Sequence, residues 1–423
     1  MKILQLVAYY SPERIASAHL SKDREEAFAA AGFTTELYAP TPTRGLSEEE
    51  YKEYKKVKQE KRYDGKLTIN RFSMFREGKN PLLRAARYFL VNIGHYIKGT
   101  SVKDADVILC GSTPPTQGML CGLIKKRLSR KAKRNIPFVF ILQDIFPDSL
   151  VNAKMTKKGS LIWKIGRKIE NYAYRSADRI IVISEDFKRN IMEKGVPEER
   201  IAVIPNWVNT DKVYPVKRED NILFERYHLD PSLFYICYSG NIGHSQNMDM
   251  LLDSAKALAE ELPELRFVLV GEGAARDEVE ARIIQENIEN VIMLPFQPYE
   301  EISHVFSLGD AGLIISKAGI GGSSVPSKTW SIMAANRPVL ASFDKESQLG
   351  SLIAEAQCGL VAQANDSEAF KEAVRKLYQN RDNASVMGER GREYLAKNLD
   401  KETCVNAYVN VLRQVTENGG KTL

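Results

Sequence analysis

The stretch Ala311-Gly312-Leu313-Ile314-Ile315-Ser316-Lys317-Ala318-Gly319-Ile320-Gly321-Gly322-Ser323-Ser324-Val325-Pro326-Ser327-Lys328 decides the fold. Its first five residues form a short apolar run of the kind that makes a parallel strand buried on both faces, and a glycine-rich turn follows at once. Ser327 then offers an N-cap, and Lys328 places a compact positive charge in the first turn of the helix that begins there. Strand, glycine turn and helix make the repeating step of a doubly wound α/β sheet, whose ligands bind at such turns. Gly319, Gly321 and Gly322 permit a nest of backbone N–H groups, which together with Lys328 suits a diphosphate. The spacing is not the GxxxxGK[ST] of a P-loop, and on spacing alone a purely structural turn accounts for it equally well.

The same rhythm runs outward in both directions. Apolar runs at Lys2–Ala8, Thr34–Ala39, Val107–Cys110, Phe138–Gln143, Arg179–Ile183 and Ile201–Ile204 read as strands of one sheet. A second set comprises Phe234–Ser239, Arg266–Val270, Val291–Leu294, Ala311–Ile315 and Pro338–Ala341. Amphipathic segments such as Ser21–Ala31, Ser160–Arg175 and Met248–Glu261 separate them, so each set predicts a parallel sheet with helical crossovers. In the second set three further strand exits resemble the first: Gly240-Asn241-Ile242-Gly243-His244, Gly271-Glu272-Gly273 and Pro295-Phe296-Gln297. Each exit is weak alone; four on one sheet edge, three of them with glycine, are less easily dismissed as structure. The expected organisation is a first Rossmann-like domain over 1–208, a linker over 209–229 and a second Rossmann-like domain over 230–400. A C-terminal helix near 400–415 packs back on the first domain in this reading, and 416–423 forms a disordered tail. Residues 41–66 read as a surface excursion, with a helix carrying Tyr51 and Tyr54.

At 423 residues the chain exceeds what one core usually serves, which agrees with two domains. Five cysteines without a CxxC pair argue against a metal site or a disulfide framework and fit a reducing cytoplasm. The opening apolar run is interrupted at Ser11-Pro12, so it reads as a strand and not a signal peptide. No run approaches the ~18 apolar residues that span a bilayer. The net charge of +6 conceals an asymmetry: residues 1–205 carry +15 and the remainder −9. Seven of the ten residues Lys125–Arg134 are basic, which suits an anionic membrane surface, although a solvated helix end explains such a run too. Nucleic acid is a poor fit, because no aromatics interleave the basic residues.

These motifs together resemble retaining GT-B glycosyltransferases of family four. In the second half the resemblance rests on the Gly-Asn-Ile-Gly turn at 240–243, Val-Gly-Glu-Gly at 270–273, Pro326-Ser327-Lys328 and Met333-Ala334-Ala335-Asn336-Arg337-Pro338-Val339. In the first half Tyr10-Ser11-Pro12-Glu13, Gln143-Asp144-Ile145-Phe146-Pro147-Asp148 and Ala177–Ser184 followed by Ile204–Asn209 are similar to the same family. The branch is similar to bacterial surface-polysaccharide transferases acting with fucosamine or in colanic acid synthesis.

The resemblance implies two Rossmann-like domains facing each other across a cleft, with the nucleotide-sugar donor in the second. It assigns donor contacts to Gly240, Asn241, Gly243, His244, Gly271, Gly273, Phe296, Gly321, Gly322, Ser323, Ser327, Lys328 and Ser331. Two carboxylates usual in the family are replaced here by Ser323 and Ser331, and a usual basic residue by His244; a hydroxyl cannot clamp a ribose diol as a carboxylate does. It assigns the acceptor to the exits of the first strand and of Phe138–Gln143. There Asp144 would orient the acceptor hydroxyl or stabilise charge on the anomeric carbon, and Glu13 has a similar place. Asp144 serves equally well as a helix N-cap. Catalysis then uses Asp144, Lys328 and Glu13, with no metal and no cofactor. The donor is a nucleotide-diphosphate sugar, with UDP expected, and the acceptor a polyprenyl-diphosphate-linked saccharide on the cytoplasmic face of the plasma membrane. The amphipathic Pro81–Lys98 would lie at that interface, or else pack as a core helix. A nucleotide-sugar 2-epimerase and a non-catalytic subunit of an assembly complex share the architecture and stay open.

Overall fold

The structure is a computed structural model and describes residues 1–13, 18–76, 81–152, 156–321 and 326–418. The chain forms two compact units, one made of residues up to Pro205 together with the chain from Glu402 onward, the other of Asn206–Lys401.

In the first unit eight strands among the described residues make one sheet: β1 (Lys2–Leu6), β2 (Thr34–Pro40), β3 (Gln59–Arg62), β4 (Leu67–Phe72), β5 (Val107–Gly111), β6 (Phe138–Leu142), β7 (Arg179–Val182) and β8 (Ile201–Val203). Their order is β3-β4-β2-β1-β5-β6-β7-β8, parallel throughout except that β3 runs antiparallel to β4. β6 is buried along its whole length, as strands covered by helices on both faces must be. The chain winds one way from β1 through β2 and the other way from β5 onward, so the switch point lies between β1 and β5. Over this sheet the helix Gln117–Ala132 packs between the helices Pro81–Ser101 and Leu161–Ser176. The helix Lys401–Asn418 belongs to this unit: Arg24 stacks over the buried Tyr408 ring and Arg413 over Phe33.

The second unit is a wholly parallel sheet of β9 (Phe234–Ser239), β10 (Leu265–Val270), β11 (Val291–Leu294), β12 (Ala311–Ile315), β13 (Val339–Phe343) and β14 (Gly359–Gln363). The order β11-β10-β9-β12-β13-β14 puts its switch point between β9 and β12. Ile236, Phe267 and Leu313 are fully buried at its centre, each worth about 1.5–3 kcal/mol of transfer free energy.

Several expectations need correction. Residues 209–229 are not a free linker: a short helix at Ile222–Arg226 buries Leu223 and Phe224 in the core of the second unit. Residues 41–66 hold the anticipated helix, Glu48–Tyr54, closed by a Ser47/Glu50 capping box, but the segment then re-enters the sheet as edge strand β3. Residues 416–418 continue a helix instead of fraying, and 419–423 lie outside the described residues. The helix Pro81–Ser101 inverts the usual pattern. It buries Arg87, Val91 and His95 and exposes Leu83, Phe89, Leu90, Ile93 and Ile97.

Candidate functional site

Parallel pairing of β11, β10, β9 and β12 brings their four exits side by side on the carboxyl edge of the second sheet. At its centre Lys328, the first residue of the helix Lys328–Ala334, lays its ammonium 3.7 Å from the centre of the Tyr238 ring. The Nζ occupies the space over Gly240, where a Cβ would come within 2.8 Å of it. Burial strips water from this ammonium and lowers its pKa to about 7, well below an ordinary lysine. An anion beside this ammonium would favour its charged form.

The glycines of the exits do more structural work than their sequence suggests. A Cβ on Gly271 would sit 2.0 Å from the Gly240 oxygen, and one on Gly273 2.2 Å from the Ile242 oxygen. These residues let the β9 and β10 exits pack backbone to backbone, sealed by Ile242 N donating to the Glu272 oxygen at 2.8 Å. Gly243 donates its N–H to the Gln246 side chain at 3.1 Å. The expected nest of N–H groups exists after β12 but already holds an internal anion. The Asp344 carboxylate accepts from Gly319 N at 2.9 Å and Gly321 N at 2.8 Å. Ser327 makes no side-chain cap bond, because its backbone already has helical angles, so its expected capping role fails. Asn241 and His244 are exposed at the β9 exit, His244 standing 3.9 Å from Glu278, and Phe296 is 69% exposed at the β11 exit. Ser331 is half-buried one turn into the helix that Lys328 opens. Gly322 and Ser323 lie outside the described residues.

In the first unit the two expected carboxylates fare differently. Glu13 is 2% exposed and fully engaged: Tyr10 N donates to it at 2.8 Å, Thr43 N at 2.8 Å and Arg44 N at 3.1 Å. It ties the β1 exit to the loop after β2, which is a structural role. Asp144 is exposed just beyond β6. Even so, partial desolvation raises its pKa, against the opposing effect of hydrogen bonds from the Ser149 hydroxyl and the Ile145 N–H. Beside it a cavity of about 250 Å³ opens at the exits of β1, β5 and β6, its lining reaching Gln143, one residue short of Asp144.

Two family models match this chain. That of Glycosyl transferases group 1 covers residues 220–394, and that of Glycosyltransferase Family 4 covers residues 25–212, so together they take in the whole second sheet and every strand of the first except β1. The chain is a group 1/family 4 glycosyltransferase. Among curated relatives, this transferase is 26% identical over 344 residues to WbjE of Pseudomonas aeruginosa, provisionally described as a glycosyltransferase, across 81% of this chain and 83% of that one. It is 26% identical over 280 residues to WcaI of Escherichia coli, provisionally described as a colanic acid biosynthesis glycosyl transferase, across 65% and 67% of the two chains. Among solved structures it shares the fold of Anabaena HepE in complex with UDP-glucose, with a TM-score of 0.70 and 16% identity over 98% of this chain and 100% of that one. Each half of the transferase thus has the Rossmann-like fold of a GT-B domain.

Sequence reasoning missed two residues on the carboxyl edge of the second sheet. Tyr238 reads as one more apolar residue of β9, yet it supplies the aromatic face against Lys328. Asp344 follows β13, more than twenty residues from the glycines it holds, and only the β12–β13 pairing reveals the connection.

Proposed function

We propose that this transferase moves a sugar from a UDP-sugar, with retention at the anomeric carbon, to a saccharide carried on a polyprenyl diphosphate during cell-surface polysaccharide assembly. The observation that carries the donor half is the desolvated Lys328 ammonium over Gly240 at the switch point of the second sheet, where an anion would be bound by a cation that has little water left to lose. HepE in complex with UDP-glucose supports a UDP-sugar, and the likeness to WbjE and WcaI supports the polysaccharide setting. In the reaction the acceptor hydroxyl attacks the anomeric carbon on the face the diphosphate leaves. Its proton passes to the departing diphosphate oxygen, while Lys328 stabilises the charge that develops there and Asp144 orients the hydroxyl. Glu13 has no part in it.

The membrane half of the reading draws on the outer helices of the first unit. Phe89, Ile93 and Ile97 make an exposed stripe one helical turn apart, and Leu161, Ile162 and Ile165 stand exposed two helices away. On the helix between them and the two residues after it, Lys125, Lys131 and Arg134 are spent on internal partners, but Lys126, Arg127, Arg130 and Lys133 are exposed. Each exposed cation near an anionic surface contributes about 1 kcal/mol.

Incubation of a UDP-sugar panel with a polyprenyl-diphosphate oligosaccharide tests the chemistry. The reading requires UDP release only when acceptor is present, and a product whose anomeric coupling matches the donor's. An epimerised sugar formed without acceptor would establish the epimerase alternative instead.

A further inference from the structure

The cavity at the exits of β1, β5 and β6 sits at the switch point of the first sheet, the counterpart of the donor position in the second. At about 250 Å³ it falls just below the roughly 300–1,000 Å³ of sites that enclose a drug-sized ligand, so it admits one small head group and not a lipid chain. Its lining includes Arg24 and Arg44 and contains no Asp or Glu.

Arg24 is 8% exposed, on the second turn of the helix Ala18–Ala30. Its Nη2 donates to Ser21 at 3.2 Å and its guanidinium stacks 5.2 Å from the Tyr408 ring centre. Its buried Nε has no hydrogen-bond partner among the described residues, and neither has Oε1 of Gln5, which also lines the cavity. Buried polar groups left in this state call for an explanation, and a bound ligand supplies one. Arg44 is fixed from the other side: it lies 3.9 Å above the Tyr9 ring, its Nη2 donates to the Tyr9 hydroxyl at 2.8 Å, and Glu13 accepts from its backbone N–H. A guanidinium held rigid by stacking loses little freedom when it binds a planar or tetrahedral oxyanion.

We infer that this cavity is an oxyanion subsite of the acceptor, in which Arg24 and Arg44 bind a phosphate or a carboxylate carried by the saccharide acceptor while Gln5 receives one of its hydroxyls. The inference rests on the acceptor side of the proposed function. It makes the transferase selective for acidic acceptors: those bearing a phosphate from the lipid linkage or a uronate in the sugar chain.

The test is a binding titration followed by NMR on the full chain with the donor site saturated by UDP, using inorganic pyrophosphate, methyl glucuronide and the neutral methyl glucoside. We expect at least one anionic probe to bind tenfold or more tightly than methyl glucoside. Pyrophosphate binding alone identifies the lipid-linkage phosphate as the source, and glucuronide binding alone the uronate. Arg24→Gln and Arg44→Gln should each abolish that preference without changing UDP affinity, and Arg24→Lys, which keeps the charge but not the fork, should retain part of it. UDP affinity and melting temperature report whether each variant is folded. Anionic probes that bind no better than methyl glucoside, or that bind both Gln variants as they bind the wild type, overturn the inference. Failure of the wild type to bind UDP would contradict the transferase reading instead. Arginine-dependent anion binding, measured without UDP, would still support the subsite, so the two failures are distinguishable.

Discussion

Lys328 and Glu13 show how burial turns similar sequence signals to different ends. Desolvation pulls the Lys328 pKa down to about 7, below its unfolded value, so the unfolded chain binds more protons between those two values. Its contribution to stability therefore rises as pH increases from about 7 towards the ordinary lysine range. Donor binding reverses the bias, because a diphosphate over Gly240 stabilises the ammonium. We predict proton uptake on UDP binding above pH 7, and an affinity that weakens by at most about tenfold per pH unit there. Calorimetry in two buffers of different ionisation enthalpy measures both effects, and neither should appear in Lys328→Met. Glu13 is bound by three backbone N–H groups, and an amide in its place would turn a donor toward a donor. Glu13→Gln should cost about 1–3 kcal/mol in urea unfolding and leave UDP affinity unchanged. An unaltered unfolding midpoint with a collapsed turnover would restore Glu13 to catalysis. The motif around Glu13 was visible in the sequence; what the carboxylate faces was not, because Thr43 and Arg44 are thirty residues away.

Among the elements, the strands buried on both faces were legible because continuous apolar runs such as Phe138–Leu142 and Ala311–Ile315 leave little else to form. β3 escaped because Gln59-Glu60-Lys61-Arg62 is an exposed edge with no apolar face, and β14 because Gly359–Gln363 is only half-buried beyond β13. The segment 209–229 read as a linker from its charge, although Leu223, Phe224 and Leu229 anchor it in a core. The glycine turn after β12 was legible as an N–H nest, but its internal occupant was not, since Asp344 arrives from another element. Asp344 holds that turn in shape, with Gly321 seven residues ahead of Lys328 in the chain. Asp344→Ala should leave the far-ultraviolet spectrum unchanged while weakening UDP binding several-fold, as a preorganised turn becomes a floppy one. A variant that binds UDP more tightly would show instead that Asp344 competes with the diphosphate.

Across the whole molecule the charge asymmetry divides along the two units, with the basic excess in the one that carries the exposed apolar stripes. If that unit meets the membrane, sedimentation with anionic vesicles should fall several-fold when Lys126, Arg127, Arg130 and Lys133 are reversed to Glu, and again when Phe89, Ile93 and Ile97 become Ser. Binding unchanged in both variants would refute the membrane reading and leave the transferase chemistry untouched. The central claim is narrower: the second sheet's switch point is a diphosphate cradle built on Lys328. Titration calorimetry of UDP into the wild type and Lys328→Met tests it most directly, since Met keeps the side-chain stem against Tyr238 and removes only the ammonium. The account predicts saturable one-to-one binding to the wild type and a loss of at least tenfold in the variant with its melting temperature preserved. Equal affinity in both proteins would contradict it.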